Sequence, residues 1–438
     1  INNQNFVRGS AIYFRWTRDI NFLRENIQRM RLAIHYLMTE MKATEENCIV
    51  TPFVGHCGRS GIELRKDGKK VIHYGRGIGN NYWDLLPMGH KDAYATIHYY
   101  DTLNQMIELE RDIAGHPEWD IPGGPLRFDP DELAEHARKV KEVSGRLFWN
   151  PETKRFVSGL DIDGNGHDYG FTFLNLEAIY YDFATPRQAE DILSWIAGDR
   201  LVAGDTSQGA DIYRWRFGPR STTKRNIEYY GWFWSGPESI PWGGQVQDGG
   251  AVLGFSYHDM MARLKVRGPD DAWRRLLEVV HWFDDVQKAG GYRAYYKDGK
   301  PGTTLHGGGT AGGLGVDHEF FESILVPQVM IDGFLGFRPT GEGFALSPRL
   351  PHDCPELRVD QIHLHDVILD IRVTPSTIEI TKKGPLDEPL RVRLPSGAWT
   401  CQHRNESDKI ISEEKISSEK TPAIVTWLDA DGLRLMKD

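Results

Sequence analysis

The chain has 438 residues and a net charge of −10, with no basic run. That length exceeds one ordinary domain and can bury a large core, while the acidic balance excludes a nucleic-acid phosphate track. No window approaches eighteen consecutive apolar residues, so nothing is expected to cross a membrane.

The start, Ile1-Asn2-Asn3-Gln4, lacks a basic n-region and an apolar h-region, and so shows no signal peptide. Cys48, Cys57, Cys354 and Cys401 match no zinc spacing, which makes a cytosolic life without disulfides the default. The 13 Trp, 17 Tyr and 46 Gly are concentrated before residue 340. Rings on glycine-rich loops suit a carbohydrate cleft, and equally any large α-domain with elaborate loops.

Helical periodicity recurs from the start to about residue 335. It predicts helices over 18–42, 91–115, 129–149, 171–183, 186–198, 249–266, 269–289 and 316–334. Asp129-Pro130-Asp131-Glu132 and Gly268-Pro269-Asp270-Asp271 are helix starts with carboxylates in the first turn. Between the helices lie long loops over 43–90, 150–170, 199–248 and 290–315, and loops of that length in a compact domain are usually functional. Helix pairs with elaborate loops predict a mainly α fold, an α/α toroid carrying its site on the loop face. After Phe337-Arg338-Pro339 the period becomes two. Ile362–Ile371, Thr377–Ile380 and Leu390–Leu394 alternate as strands do, so 339–438 is expected to be an antiparallel β-sandwich behind a catalytic domain over 1–338. Glu406 to Lys420 reads as an exposed polar loop.

The most informative stretch is Asn80-Asn81-Tyr82-Trp83-Asp84-Leu85-Leu86-Pro87-Met88-Gly89, directly before an aromatic-rich helix. Tyr82 and Trp83 precede the Asp84 carboxylate. Rings displace water and favour the protonated acid, and they also stack on sugar faces. An aspartate beside ordinary core aromatics is the bland alternative.

With the helix that follows it, Gly89-His90-Lys91-Asp92-Ala93-Tyr94-Ala95-Thr96-Ile97-His98-Tyr99-Tyr100-Asp101-Thr102-Leu103, this loop resembles the inverting six-hairpin (α/α)6-barrel glycosidases. These include trehalases, glycogen-debranching glucosidases, α-L-rhamnosidases and the maltose and cellobiose phosphorylases. Two further stretches resemble the same superfamily in the same order. Pro241-Trp242-Gly243-Gly244-Gln245-Val246-Gln247-Asp248-Gly249-Gly250 is similar to a turn that starts a late inner helix, with Asp248 in place of the usual Asn. Gly336-Phe337-Arg338-Pro339 with Gly343-Phe344-Ala345-Leu346-Ser347-Pro348-Arg349-Leu350-Pro351 is similar to the junction with the C-terminal β-domain. The resemblance implies twelve helices where about nine are legible. The first helices would then lie outside this chain, with a missing segment or a second chain completing the ring, or a homo-oligomer forming.

The resemblance places the general acid on Asp84. Inverting cleavage also needs an ionised carboxylate to activate water across the ring, about 6.5–9.5 Å away. Glu319 and Glu322, after the glycine-rich run that starts at His306, rank above Asp317 and Asp298; Glu238 is a third candidate. The alternative for Asp317 and Glu319 is simple complementation of the helix dipole. Arg15-Trp16-Thr17-Arg18-Asp19 resembles a glucose-gripping Trp-x-Arg-Asp element, which makes Trp16, Arg18 and Asp19 candidates. Asp211, Arg214, Trp215, Trp232, Trp234, Trp242, Gln247 and Asp248 are further substrate-binding candidates, and a ring cluster bracing a long loop is their bland reading.

The reaction expected is inverting exo-hydrolysis of an oligosaccharide, favouring an α-glucosidic bond and needing no cofactor. A disaccharide phosphorylase, with His306-Gly307-Gly308-Gly309-Thr310 holding phosphate, is the first alternative, although no Lys or Arg flanks that loop. A sugar-binding protein without catalysis is the second. An α/α-barrel epimerase using His90 and His306 is the third. Asp161-Ile162-Asp163-Gly164-Asn165-Gly166 matches the first half of a calcium loop, but Thr172 stands where a bidentate Glu belongs, so the stretch reads as a turn.

Overall fold

The computed structural model describes residues 1–77, 86–229, 242–243, 246–295, 325–386 and 388–438. Helix α1 (Asn2–Thr17) turns through Arg18, left-handed at φ 53°, into α2 (Ile20–Thr39). Asp19 caps α2 by accepting the Phe22 N–H at 2.9 Å. The helix predicted over 18–42 begins at this break, while α1 before it is not among the predicted helices.

The chain continues through α3 (Ala93–Gly115), α4 (Pro130–Leu147), α5 (Thr172–Tyr180), α6 (Pro186–Ile196), α7 (Phe255–Val266) and α8 (Pro269–Lys288). Short α9 (Leu325–Gln328) runs on into a π-helical turn over Val329–Leu335. The predicted starts at Asp129 and Pro269 are correct, and Asp129 accepts the N–H groups of Asp131 and Glu132. Helix α7 begins six residues later than its periodicity suggested, because Gly249 is held at φ 79° and Gly254 is the N-cap.

Contacts between alternate helices climb in step. Gln4 donates to the Ala95 carbonyl, Arg8 pairs with Asp101 at 2.6 Å, and Arg15 pairs with Glu108 at 3.1 Å. Tyr94 meets Phe173 and His98 meets Glu177; then Phe173 stacks on Phe255 and Glu177 approaches His258. Helices α1, α3, α5 and α7 therefore run parallel. They form the inner wall, and α5 is buried on every side from Thr172 to Ile179. Helices α2, α4, α6 and α8 pack outside with one buried stripe each, as amphipathic helices do. Among the described residues no helix is long and apolar enough to cross a membrane.

The β-domain has ten strands: β1 (Phe337–Thr340), β2 (Gly343–Leu346), β3 (Leu357–Leu364), β4 (Val367–Val373), β5 (Thr377–Lys383), β6 (Leu390–Leu394), β7 (Gly397–Arg404), β8 (Ile410–Ser418), β9 (Ala423–Trp427) and β10 (Gly432–Lys437). A six-stranded sheet ordered β3-β4-β5-β10-β7-β8 faces a four-stranded one ordered β9-β6-β2-β1. Every pairing between these strands is antiparallel except β2 with β6. Alternate residues such as Leu369, Ile371, Val392 and Leu435 fill the space between the sheets. The expected loop over 406–420 is a correction: most of it is edge strand β8, whose residues are nearly all exposed. Backbone pairing with β7 holds it, so its sequence carries no apolar alternation.

The sandwich sits at the C-terminal ends of α1 and α3. Gly336 makes the junction at φ 64°, where a Cβ would lie 2.2 Å from the Ser347 carbonyl oxygen, so only glycine fits. Trp16 packs on Phe337, Arg338 reaches Glu108 at 3.0 Å, and His116 meets Glu342 at 3.3 Å. Burial, with Glu342 and Glu108 close by, pushes the Asp112 carboxyl up to about 6, against the pull of Arg15 and Arg393. The folded state therefore binds this proton more tightly than the unfolded chain. The stabilising contribution is complete below the unfolded value of 3.8 and is lost as pH rises through about 6. Asp112→Asn, neutral at every pH, is expected to gain on the wild type by on the order of 1–2 kcal/mol above that window and nothing below it. Denaturation at both ends of the window measures this, and a gain independent of pH would refute it.

Candidate active site

Because the inner helices are parallel, their N-termini share one end of the ring. The connections entering those N-termini are the long ones, 40–92, 148–171, 197–254 and 289–324, and those leaving are short. The described parts of 40–92, 148–171 and 197–254 therefore gather at the end opposite the sandwich. A small sheet ties three of their segments together, with Lys91–Asp92 between Ile49–Val50 and Gly159–Leu160. Gly58 packs backbone against backbone here: a Cβ would lie 1.9 Å from the Gly89 carbonyl oxygen and 2.8 Å from Asp161 Cα.

Asp84, Tyr82 and Trp83 lie outside the described residues; the chain is described again from Leu86. Leu86 and Met88 are fully buried, and the Pro87 carbonyl accepts the Tyr169 hydroxyl at 3.0 Å. Beneath, the rings of His167, Tyr169 and Tyr229 meet edge-on or stacked with centroids 5.3–5.9 Å apart. The Asp161 carboxylate accepts the N–H groups of Asp163 and Asn165 and faces His167 Nε2 at 3.1 Å. Burial raises its proton affinity, but these donors outweigh burial and hold it below the usual carboxylate range. Asp163 turns outward to Arg59. The Asp-x-Asp-Gly-Asn-Gly stretch is thus folded as a self-satisfied turn.

Deeper in the same loops, Arg155 lies between two carboxylates. It binds Asp205 bidentately at 2.7 and 2.8 Å, reaches Asp168 at 2.8 Å, and stacks over Trp195 at 4.5 Å. In the 197–254 loop, Arg220 lies over Trp215 and Trp242 and grips Asp211 with both Nε and Nη2. Trp242 donates to Ser207 Oγ at 2.8 Å and lies against Gly249, where a Cβ would meet its ring at 2.5 Å.

The inner helices line an open cavity of about 1350 Å³ that touches α1, α3, α7, α9 and the end of α5 and reaches Trp16, Glu108 and Arg338 beside the sandwich. Tyr100, Tyr180, Tyr181 and Tyr257 present rings to it, and Asp101 and His258 polar groups. Behind this surface runs a buried ionic chain. Arg8 pairs with Asp101, and its Nη1 lies 2.7 Å from His98 Nδ1. A guanidinium only donates, so Nδ1 accepts and the ring hydrogen is assigned to Nε2, which lies 2.6 Å from Glu177. Burial alone would raise the Glu177 proton affinity; His98, His258 and Arg8 overcome it and keep the carboxylate ionised below its usual range. Burial likewise drives His258 below the ordinary imidazole value despite Glu177. The wall therefore offers imidazole, carboxyl and phenolic hydroxyl groups, a surface suited to binding hydroxyl-rich molecules. At its far side Tyr257 donates to Asp332 at 2.8 Å, and burial raises the Asp332 carboxyl.

The structure separates the predicted residues into three groups. Asp84, Glu238, Glu319, Glu322, Tyr82, Trp83, Trp232, Trp234 and His306 lie outside the described residues. Trp16, Arg18 and Asp19 stand at the end of the ring away from the loops, and of the three Trp16 also lines the cavity. Trp16 packs on the sandwich, Arg18 pairs with Glu388 and lies over Trp119, and Asp19 is the α2 cap. Asp211, Trp215, Trp242, Gln247 and Asp248 do share one loop at the expected end. There Trp215 is only 3% exposed with Arg220 over its face, so it braces the loop rather than offering a stacking surface, while Arg214 points to solvent. Asp248 is buried 3.7 Å from Arg225. The residues not anticipated are Arg8, His98, Asp101, His258 and Asp332. The spacing of Tyr94, His98, Asp101 and Gln105 on one helix face, opposite a lone Glu177 in an apolar helix, is the signal that could have found part of this set.

Residues 337–400 match the model of Glycosyl hydrolase family 65, C-terminal domain. The order of helical hairpins followed by this sandwich is consistent with the six-hairpin glycosidase superfamily. Among solved structures, the alpha-L-rhamnosidase from Dictyoglumus thermophilum aligns at 12% identity and TM-score 0.42, over 99% of this chain and 39% of that one. The GH78 family rhamnosidase of Bacillus sp. GL1 aligns at 10% and 0.46, over 90% and 33%. A provisionally assigned kojibiose phosphorylase from human microbiome aligns at 9% and 0.39, over 98% and 50%. The chain thus spans half or less of the length of these proteins. None of the curated proteins matches it in sequence.

Arg155 supplies a direct test of how the loops are held. Replacing it by Met leaves Asp168 and Asp205 facing each other without a cation. The expected loss is about 3–5 kcal/mol of stability in denaturant titration. A loss below about 1 kcal/mol, the range of exposed pairs, would show that the triad does not hold the loops.

Proposed function

We propose that the loop end of the ring carries a glycoside-cleaving site, with Asp84 as general acid and Glu319 or Glu322 as the base, Glu238 being the third candidate. The observation that carries this reading is the parallel inner wall, which brings the described parts of loops 40–92, 148–171 and 197–254 to one end, with the chain just after Asp84 pinned through buried Leu86, Met88 and Tyr169. The family 65 domain supports carbohydrate chemistry for the whole.

In the proposed reaction Asp84 protonates the glycosidic oxygen as the bond from C1 breaks. Water attacks C1 from the opposite face and gives its proton to the base carboxylate, which inverts the anomeric centre. The substrate is an oligosaccharide, with an α-glucosidic bond as the first choice, and two carboxylates and water supply the chemistry without a cofactor. The cavity rings and hydroxyl-binding groups of the inner wall support a sugar ligand.

Turnover of aryl α-glycosides and disaccharides, with product anomer followed by NMR, tests the proposal. Asp84→Asn is expected to lower kcat by about 10²–10⁴-fold while leaving substrate binding nearly intact. Cleavage that needs inorganic phosphate would assign a phosphorylase instead. Binding without turnover in the wild type would sink the catalytic reading altogether.

A further inference from the structure

The β-domain brings together three ligating side chains that the cleavage chemistry does not use. Cys401 and His403 stand two residues apart on β7 and therefore project from the same face. Glu414 on β8 is the direct cross-strand partner of Cys401. One sulfur, one ring nitrogen and one carboxylate oxygen lie within 4.8 Å of one another. His403 Nε2 already faces Glu414 Oε1 at 3.3 Å. Bonds of about 2.0–2.3 Å in a tetrahedral zinc centre set its ligands roughly 3.3–3.8 Å apart. Small side-chain rotations would bring the trio to that spacing without moving the strands.

We propose that Cys401, His403 and Glu414 form a site for a borderline-soft divalent cation, zinc by preference, with water as fourth ligand. A thiolate and an imidazole select zinc over calcium or magnesium, which need a shell of oxygens. Binding replaces the thiol proton: the metal–sulfur bond forms, one proton leaves to solvent, and no oxidant or reductant is required. The burial gradient suits a site entered from one side, with Cys401 wholly buried, His403 partly so and Glu414 at the mouth. The location gives the ion a task. Among the described residues strand β8 pairs with β7 alone, at the edge of the sheet, so a cation shared between them would clamp it there. A His–Glu pair over a core cysteine without an ion would contribute little there.

The test uses the full chain, stripped with chelator and titrated with Zn²⁺ by calorimetry, and with Co²⁺ by absorption. One equivalent of zinc is expected, together with a thiolate-to-cobalt charge-transfer band in the near ultraviolet. Cys401→Ser should abolish the band, and His403→Ala should weaken binding on the order of 100-fold or more. His403 is partly exposed, so its variant serves even if Cys401→Ser fails to fold. Substoichiometric zinc, or equal affinity in His403→Ala and wild type, overturns the site. Because the readout is metal binding by the sandwich, its failure leaves the glycosidase reading untouched, and the reverse also holds.

Discussion

A guanidinium buried against one carboxylate cannot slide, and this constraint sets the geometry of the inner wall. Arg8 meets Asp101 at 2.6 Å and His98 at 2.7 Å, and His98 in turn meets Glu177 on the next inner helix. An apolar seam between parallel helices tolerates a shift of one turn with modest repacking. Here such a shift would strand Arg8, Asp101 and Glu177 in the interior without partners, at several kcal/mol for each broken pair. Charge placement therefore gives α1, α3 and α5 a single common register, and His258 extends it to α7.

That register acts at both ends of the ring. At one end it lines up the N-termini, so loops separated by more than a hundred residues in sequence meet at Gly58, Gly89 and Asp161. At the other it presents Arg15, Glu108, Asp112 and His116 as a polar platform on which Arg338, Glu342, Arg391 and Arg393 of the sandwich settle. The β-domain is thus joined to the helices by matched charge and one glycine turn, and it stays clear of the loop end.

Much of this was legible in the residues. Period, with capping residues at Asp129 and Pro269, gave α4, α6 and α8 to within a few positions, and the Thr185 cap of α6 went unread. The alternation after residue 337 gave the sandwich. Legibility failed where structure is set by distant partners. Edge strand β8 is held by β7 rather than by its own side chains, and the α1–α2 turn depends on a left-handed Arg18 that no glycine announces. Trp16, Arg18 and Asp19 have the composition of a sugar grip, and the structure gives Arg18 and Asp19 pairing and capping roles while Trp16 packs on the sandwich at the edge of the cavity. The buried ionic chain was the largest omission: the spacing of His98 and Asp101 on one helix face hints at it, but their pairing with Arg8, some 90 residues away, leaves no local signal.

The same asymmetry explains why carboxylates in this molecule divide so sharply by environment. Asp161, Asp168, Asp205 and Asp211 are surrounded by N–H donors or arginines, and a carboxylate held in that way has its lone pairs already occupied. Such groups make rigid walls. A general acid needs the opposite setting, few donors and nearby rings, so that the proton stays on until a leaving oxygen arrives. The Tyr82-Trp83-Asp84 sequence supplies rings without a neighbouring cation in the chain, while the fixed acids beneath are spent on holding the loops. The loop end thus has its frame built from satisfied aspartates, and the proposed acid, Asp84, is not one of them.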